Sequence, residues 1–153
     1  MKNIASLLVL AFFLASCSGA ETIVKKKWDA HENTLALVDL SAREDGFMDA
    51  GTRLVNALEE SLADTVFVLK SEQPRYQIKF KVTKYQEGNL LTRLATMGLA
   101  ESSRAELQVK VALFEGKTMV GAWEVNSWVK GGVSKNALFK KASKEIVDHL
   151  KGN

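Results

Sequence analysis

The chain has 153 residues, of which 46% are hydrophobic and 25% are charged, a composition typical of one folded domain rather than a disordered chain. Its formal net charge is +3, and the basic residues are spread along the chain, which argues against a nucleic-acid-binding stripe. Cys17 is the only cysteine, so a disulfide within the chain is excluded.

Residues 1–16 are predicted to form a secretory signal peptide, because Lys2 is followed by an uncharged apolar run over residues 4–14. This run is shorter than the ~20 residues that a bilayer-spanning helix needs. It ends in Leu14-Ala15-Ser16-Cys17, which resembles the lipobox of bacterial lipoproteins. The resemblance implies a diacylglyceryl group on the Cys17 thiol, cleavage between Ser16 and Cys17, and further acylation, for example with palmitate. A plain signal peptide that happens to contain a cysteine is the alternative.

Residues 17–33 show no apolar period and are predicted to be a lipid-anchored tether. In Gram-negative lipoproteins an aspartate after the cysteine favours the inner membrane, whereas Ser18 stands here. The resemblance therefore implies an outer-membrane protein that faces the periplasm. Inside this tether, the basic run 25–27 with Trp28 either rests on an anionic leaflet or belongs to a solvated linker. Residues 34–153 are predicted to form a single α/β domain.

The first half of this domain has the pattern of a strand–helix–strand unit. Residues 34–40 form an apolar run of strand length, and residues 46–64 carry apolar residues at helical spacing. Asp45 is a candidate N-cap, and Asp49 and Arg53 are spaced for an i,i+4 ion pair. A second short strand is predicted over 66–69, parallel to the first.

Three strands follow, and each is predicted from alternating apolar and polar residues. They cover residues 76–83, 104–113 and roughly 118–129, and a glycine turn at 115–117 joins the last two. The third strand is expected to place Met119 and Trp123 on one face. Its second face includes Trp128 and is apolar enough that a helix or a partner should cover part of it. A final helix with a basic outer face begins after Ser134.

The segment between the first two of these strands, residues 89–100, is too long and too apolar for a simple hairpin turn. Exposed, such a patch usually marks an interface. The alternative is that the insert folds back into the core of the domain. The predicted interaction surface consists of Leu90, Leu91, Leu94, Met97, Leu99 and Trp128.

Sequence motifs for catalysis are absent. His31 and His149 have no partner pattern around them, and no His-Glu-x-x-His or Cys-x-x-Cys spacing occurs. Charged residues 43–45 precede a helix, where charge more often complements the helix dipole than performs chemistry. We therefore expect a protein that is not an enzyme and that uses no cofactor and no metal.

The segments 76–94 and 97–111 resemble a bacterial lipoprotein family catalogued as domain of unknown function 4410. In that family a strand ends near a glycine and a hydrophobic insert with glycines follows, and here Gly88, Arg93, Leu94 and Gly98 take those places. The order of the elements also resembles the small α/β domain of the curli secretion lipoprotein and of the Tol-system periplasmic protein. Because the family lacks a known activity, the resemblance implies a fold and an envelope location rather than a mechanism.

Together these patterns predict an α/β fold, in detail an α+β sandwich with a mixed sheet of about five strands in the order β-α-β-β-β-α and with the helices packed on the sheet. We expect a lipid-anchored envelope protein that acts by protein–protein contact as an assembly or accessory component. Its partners are the membrane, through acylated Cys17, and an envelope protein, but no nucleic acid. The alternatives are a carrier of a lipid or small hydrophobic ligand and an oligomeric ring component related to secretion lipoproteins.

Overall fold

The computed structural model describes residues 18–26, 34–41, 47–87, 104–129 and 135–151. Within these ranges, no helix is both long and apolar enough to cross a membrane. The elements, in chain order, are β1 (Ser18–Lys26), β2 (Thr34–Asp39), α1 (Met48–Ala63), β3 (Val68–Leu69), β4 (Tyr76–Gln86), β5 (Ala105–Glu115), β6 (Thr118–Val129) and α2 (Lys135–Leu150).

The strands form one mixed six-stranded sheet in the order β1-β6-β5-β4-β2-β3. Strands β4, β5 and β6 form an antiparallel meander, and β2 runs parallel to both β4 and β3. The predicted α+β class, with two helices packed on a mixed sheet, is confirmed, although the sheet has six strands rather than five. From β2 onward the order is β-α-β-β-β-β-α, with four strands between the helices rather than the three of the predicted order, because the short β3 precedes the three meander strands. Strand β3 is shorter than expected, since it begins at Val68 instead of Val66.

The additional strand is β1, so the predicted tether over residues 17–33 was wrong for residues 18–26, which form a strand. Strand β1 pairs antiparallel with β6, from Ser18 opposite Val129 to Lys26 opposite Ala122. It occupies the edge of the sheet, where Ile23 is 43% and Val24 is 50% exposed. An edge strand gains most of its stability from one row of backbone hydrogen bonds, so it needs little apolar alternation and left no periodic signal.

Both helices cover the same face of the sheet. Ser61 on α1 and Ser143 on α2 share a hydrogen bond of 2.8 Å between their hydroxyl oxygens, so the two helices lie side by side. The core lies between the helices and the inward residues of β4, β5 and β6, where alternate positions are buried as the pattern predicts. The largest fully buried side chains are Tyr76, Phe80, Leu35, Leu54, Leu58, Leu62, Ile78, Leu107, Leu113, Leu138, Ile146 and Leu150.

Met119 does not share the buried face with Trp123, contrary to the alternation in the sequence. A β-bulge intervenes, because Leu113 pairs with Gly121 whereas the next residue, Phe114, pairs with Met119. The extra residue in β6 means that the positions before the bulge, including Met119, face the opposite side from the one that simple alternation with Trp123 gives. Met119 is therefore 40% exposed, while Trp123 is buried.

The predicted ion pair on α1 is confirmed, since Arg53 Nε lies 2.9 Å from Asp49 Oδ2. Helix α1 begins after Phe47, whose side chain makes no capping hydrogen bond. Two expected helix-terminal positions, Asp45 and Ser134, lie outside the described residues.

Candidate interaction surface

The helices leave the opposite face of the sheet uncovered within the described ranges, and we call it the helix-free face. It is built from the outward residues of β4, β5, β6 and β1, which alternate with the buried ones. Most of these side chains are half-buried by their neighbours on adjacent strands. The helix-free face comprises Gln77, Lys79, Lys81, Thr83, Glu106, Gln108, Lys110, Ala112, Phe114, Ala122, Glu124, Asn126, Trp128, Gly19, Glu21, Ile23 and Lys25.

A chain of polar contacts crosses this face over four strands. Thr83 Oγ1 on β4 donates to Gln108 Oε1 on β5 over 3.2 Å, and Gln108 Nε2 donates to Glu124 Oε1 on β6 over 2.6 Å. Lys25 Nζ on β1 lies 3.6 Å from Glu124 Oε2. The Glu124 side chain is only 11% exposed, so its carboxylate depends on these donors. The polar ladder, Thr83-Gln108-Glu124-Lys25, thus holds its own side chains in fixed positions.

Two aromatic rings flank this polar ladder, and each lies under a cation. Lys79 Nζ is 4.5 Å from the centroid of the Phe114 ring, and Arg104 Cζ is 4.8 Å from that of Trp128. Such pairs are attractive because the ring face carries negative charge density. Aromatic residues and arginine are also the types enriched at protein interfaces.

Trp128 sits directly against the backbone of Gly19 on β1. A Cβ atom built on Gly19 would overlap the indole, so only glycine leaves room for the ring at this position. Arg104 closes the other side of the stack, and its buried Nε has no hydrogen-bond partner among the described residues. Trp128, predicted to belong to an interaction surface, therefore lies half-buried on the helix-free face between Gly19 and Arg104.

The remaining predicted site residues lie outside the residues that the structure describes. The described residues nearest to the insert are Glu87, which follows β4, and Arg104, which precedes β5. Both are at the end of the sheet where Ala105 pairs with Val129 and Val129 pairs with Ser18, and we call this the anchor end. Those undescribed site residues are Ser16, Cys17, Leu90, Leu91, Leu94, Met97 and Leu99.

An open groove of about 510 Å³ lies between α1 and α2. Ala57 and Phe139 contribute apolar walls, and Arg53 Cζ lies 6.0 Å from the centroid of the Phe139 ring. An ion pair of 2.9 Å between Lys140 Nζ and Glu60 Oε1 crosses from helix to helix. The groove is a solvent-open cleft with charged walls, unlike the enclosed apolar pocket that holds a hydrophobic ligand.

Two titratable side chains near the core have structural partners. Burial and the hydrogen bond to Glu87 raise the pKa of Tyr85 to about 12, and the bond joins Tyr85 Oη to Glu87 Oε1 over 3.0 Å. His149 stacks on Trp123, and its Nδ1 lies 3.0 Å from the Glu145 carbonyl oxygen one turn earlier. In the described part of the chain, His, Cys, Asp and Glu side chains form no group of three that could hold a metal ion.

Comparison with known proteins identifies the fold but not a family. No protein-family model matches the chain, and no curated protein matches it. The PelC dodecamer from Paraburkholderia phytofirmans is similar in structure, with a TM-score of 0.50 and 12% identity over 87% of this chain and 96% of that one. A Xanthomonas campestris protein of the DUF330 family has a TM-score of 0.49 and 11% identity over 85% of this chain and 90% of that one.

The likeness to PelC is consistent with the fold seen here, a small α/β sandwich. At 12% identity, the similarity to PelC shows the fold alone. The resemblance to domain of unknown function 4410 has no matching family model and stays a prediction.

Sequence reasoning found Trp128 but missed the groups around it, namely Gly19, Arg104 and the polar ladder. One signal was present, since Glu124 is a lone acid between the apolar residues Trp123 and Val125. Its partners, Gln108 and Lys25, come from two other strands, and their proximity depends on strand registers that no local pattern reveals.

Proposed function

We propose that this chain is a lipid-anchored protein of the bacterial cell envelope that acts by protein–protein contact rather than by catalysis, as an assembly or accessory component. Its location, at the outer membrane facing the periplasm, follows from the lipobox-like Leu14–Cys17 segment and from Ser18. The observation that carries the proposal is the helix-free face, a four-strand surface with a Trp128–Arg104 stack and a fixed polar ladder.

Several properties of this face suit protein recognition. Tryptophan and arginine dominate binding energy at interfaces when they are well packed, and here each packs on the other. Because Gln108 and Glu124 are already hydrogen-bonded, little side-chain entropy remains to be lost when a partner binds. The mixture of charged and apolar groups resembles a non-obligate interface more than a permanent one.

Photo-crosslinking in cells tests this proposal. A photoreactive residue replaces Lys110, which is exposed at the centre of the helix-free face, and the matched control replaces Lys144, which is exposed on α2. We expect a discrete crosslinked species from Lys110 and none from Lys144, and a weaker one when Cys17→Ser removes the anchor. If positions 94, 110 and 128 all fail to crosslink, contact through the helix-free face or the insert is refuted.

Self-association into a ring is the second candidate, and the edge strand favours it. No strand pairs with the outer side of β1 within the described ranges, and its apolar residues Ile23 and Val24 are exposed there. Such an edge readily accepts another strand. The similarity in fold to the PelC dodecamer is consistent with this candidate. A soluble Cys17→Ser protein that stays monomeric at high concentration in light scattering would argue strongly against it.

A carrier of a lipid or small hydrophobic ligand remains the third alternative. Solvent extraction and mass analysis of the purified protein separate it from the first two, since a carrier co-purifies with its ligand. The charged walls of the groove between α1 and α2 make this alternative the weakest of the three.

A further inference from the structure

We infer that no tether separates the lipid anchor from the domain, so that the anchor end of the sheet rests directly on the membrane surface with Trp128 and Arg104 at headgroup level. This inference rests on the proposed lipidation of Cys17. It concerns how the domain is oriented, which the proposed function leaves open, and the polar ladder and the exposed Lys110 on the same face stay accessible to a protein partner beside the membrane.

The argument begins with the distance along the chain. Strand β1 starts at Ser18, the residue after Cys17. Each extended residue spans about 3.3 Å, so the Gly19 Cα lies within about 7 Å of the Cys17 Cα. A flexible tether has a root-mean-square end-to-end distance of ~5–6 Å times the square root of its number of residues. A tether over residues 17–33 would therefore let the domain move over roughly 20 Å from the lipid.

Strand β1 is also firmly part of the sheet. Its register with β6 is continuous from Ser18 opposite Val129 to Val24 opposite Trp123. On the helix side, Thr22 Oγ1 donates a hydrogen bond of 3.1 Å to Glu145 Oε2 on α2. Because both the sheet and a helix hold β1, a lipid on the preceding residue fixes the end of the whole domain.

The chemistry of the anchor end matches a membrane surface. The indole of Trp128 packs on Gly19, two residues from Cys17, and remains partly exposed. Tryptophan is enriched at membrane–water interfaces, where its apolar ring and polar N–H meet different surroundings. Arg104 stacks on the same ring and brings a cation to the level of anionic headgroups.

Depth-dependent quenching tests the orientation. The full-length acylated protein is reconstituted in vesicles of phosphatidylethanolamine and phosphatidylglycerol that contain headgroup-nitroxide lipid. In that protein the Cys17 thiol is consumed by the thioether, so one introduced cysteine is the only thiol available for a fluorophore. Gln86→Cys places the fluorophore at the anchor end. The matched control, Lys117→Cys, places it in the β5–β6 turn, about 30 Å further along the sheet.

We expect several-fold stronger quenching at position 86 than at position 117. Inserting about ten glycine and serine residues between Cys17 and Ser18 should abolish the difference, because the domain then moves freely. Equal quenching at both positions in acylated protein overturns the inferred orientation but does not contradict the lipidation of Cys17. A purified protein whose mass shows no acyl group overturns both the inferred orientation and the proposed lipidation of Cys17. Glu87→Cys serves in place of Gln86→Cys if that variant does not fold.

Discussion

The hydroxyl oxygen of Ser41 accepts a hydrogen bond of 2.7 Å from the backbone N–H of Val82. Ser41 follows β2 and is fully buried, and Val82 lies on β4 just beyond Phe80, the last β4 residue that pairs with β2. Within the described ranges, the side of β4 that faces β2 has no strand partner beyond this point, so the Val82 amide, which points to that side, needs another acceptor. The serine side chain provides it and thereby joins β2 to the centre of the sheet.

Replacing this serine should destabilise the domain. Ser41→Ala leaves the buried N–H of Val82 without its acceptor, and we expect the free energy of unfolding to fall by about 1–3 kcal/mol. Urea unfolding followed by circular dichroism measures the change in the soluble Cys17→Ser background. Ser71→Ala, at an exposed position, is the control and should change stability by less than about 0.5 kcal/mol. Equal effects of the two substitutions would contradict the role given to Ser41.

A second prediction concerns Gly51 on α1, which faces the carboxylate of Asp39 at the end of β2. A Cβ on Gly51 would overlap that carboxylate, whose Oδ1 accepts the Ser41 N–H over 2.7 Å. Gly51→Ala should therefore destabilise the protein, although alanine is better than glycine in a helix by about 1 kcal/mol. The thermal midpoint measures this effect. In an Asp39→Ala background, which removes the overlapping carboxylate, Gly51→Ala should lower the thermal midpoint by less. An equal decrease in both backgrounds would show that steric overlap is not the cause.

The polar ladder predicts that Gln108→Ala lowers the stability of the domain more than Lys25→Ala does. Gln108→Ala removes the donor to the nearly buried carboxylate of Glu124, and we expect a loss of about 1.5–3 kcal/mol in the free energy of unfolding. Lys25→Ala removes an ion pair whose lysine is 56% exposed, so its cost should stay below about 1 kcal/mol because water screens the pair. Denaturant unfolding compares the two variants. A larger loss in the free energy of unfolding for Lys25→Ala than for Gln108→Ala would show that the ion pair, rather than the hydrogen bond, is the main interaction that stabilises Glu124.

The pKa of Tyr85 predicts a loss of stability in alkali. Burial raises this pKa in the folded protein to about 12 from 10.0, so the unfolded chain loses its phenolic proton first as the pH rises. The contribution of Tyr85 is therefore fully present below about pH 10 and is lost between about pH 10 and 12. Unfolding followed across this range should show a steeper decline for the parent than for Tyr85→Phe.

A matched variant tests the cause of the same shift. Glu87→Gln removes the negative charge that helps to raise the Tyr85 pKa, so tyrosinate should form at a lower pH in this variant. Ultraviolet absorbance measures tyrosinate directly, and Tyr85→Phe identifies which of the two tyrosines contributes the signal. A titration curve that Glu87→Gln leaves unchanged would assign the whole shift to burial.

The sequence by itself determined the elements whose side chains alternate between core and surface. Every second residue is buried in β4 as far as Val82 and in β5 as far as Leu113, and in α1 the apolar residues recur at helical spacing, so the local pattern reports burial directly. The same reasoning predicted the Asp49–Arg53 pair, because an i,i+4 contact depends only on helix geometry.

Only the tertiary structure decided the features that depend on pairing between distant segments. Strand β1 exists because β6 offers it an edge, and Met119 faces outward because a bulge changes the register. The polar ladder and the Gly19–Trp128–Arg104 stack each join residues from different strands. Periodicity shows which face of an element is buried, but it carries no information about which element lies beside it or in what register, and those two properties build the helix-free face.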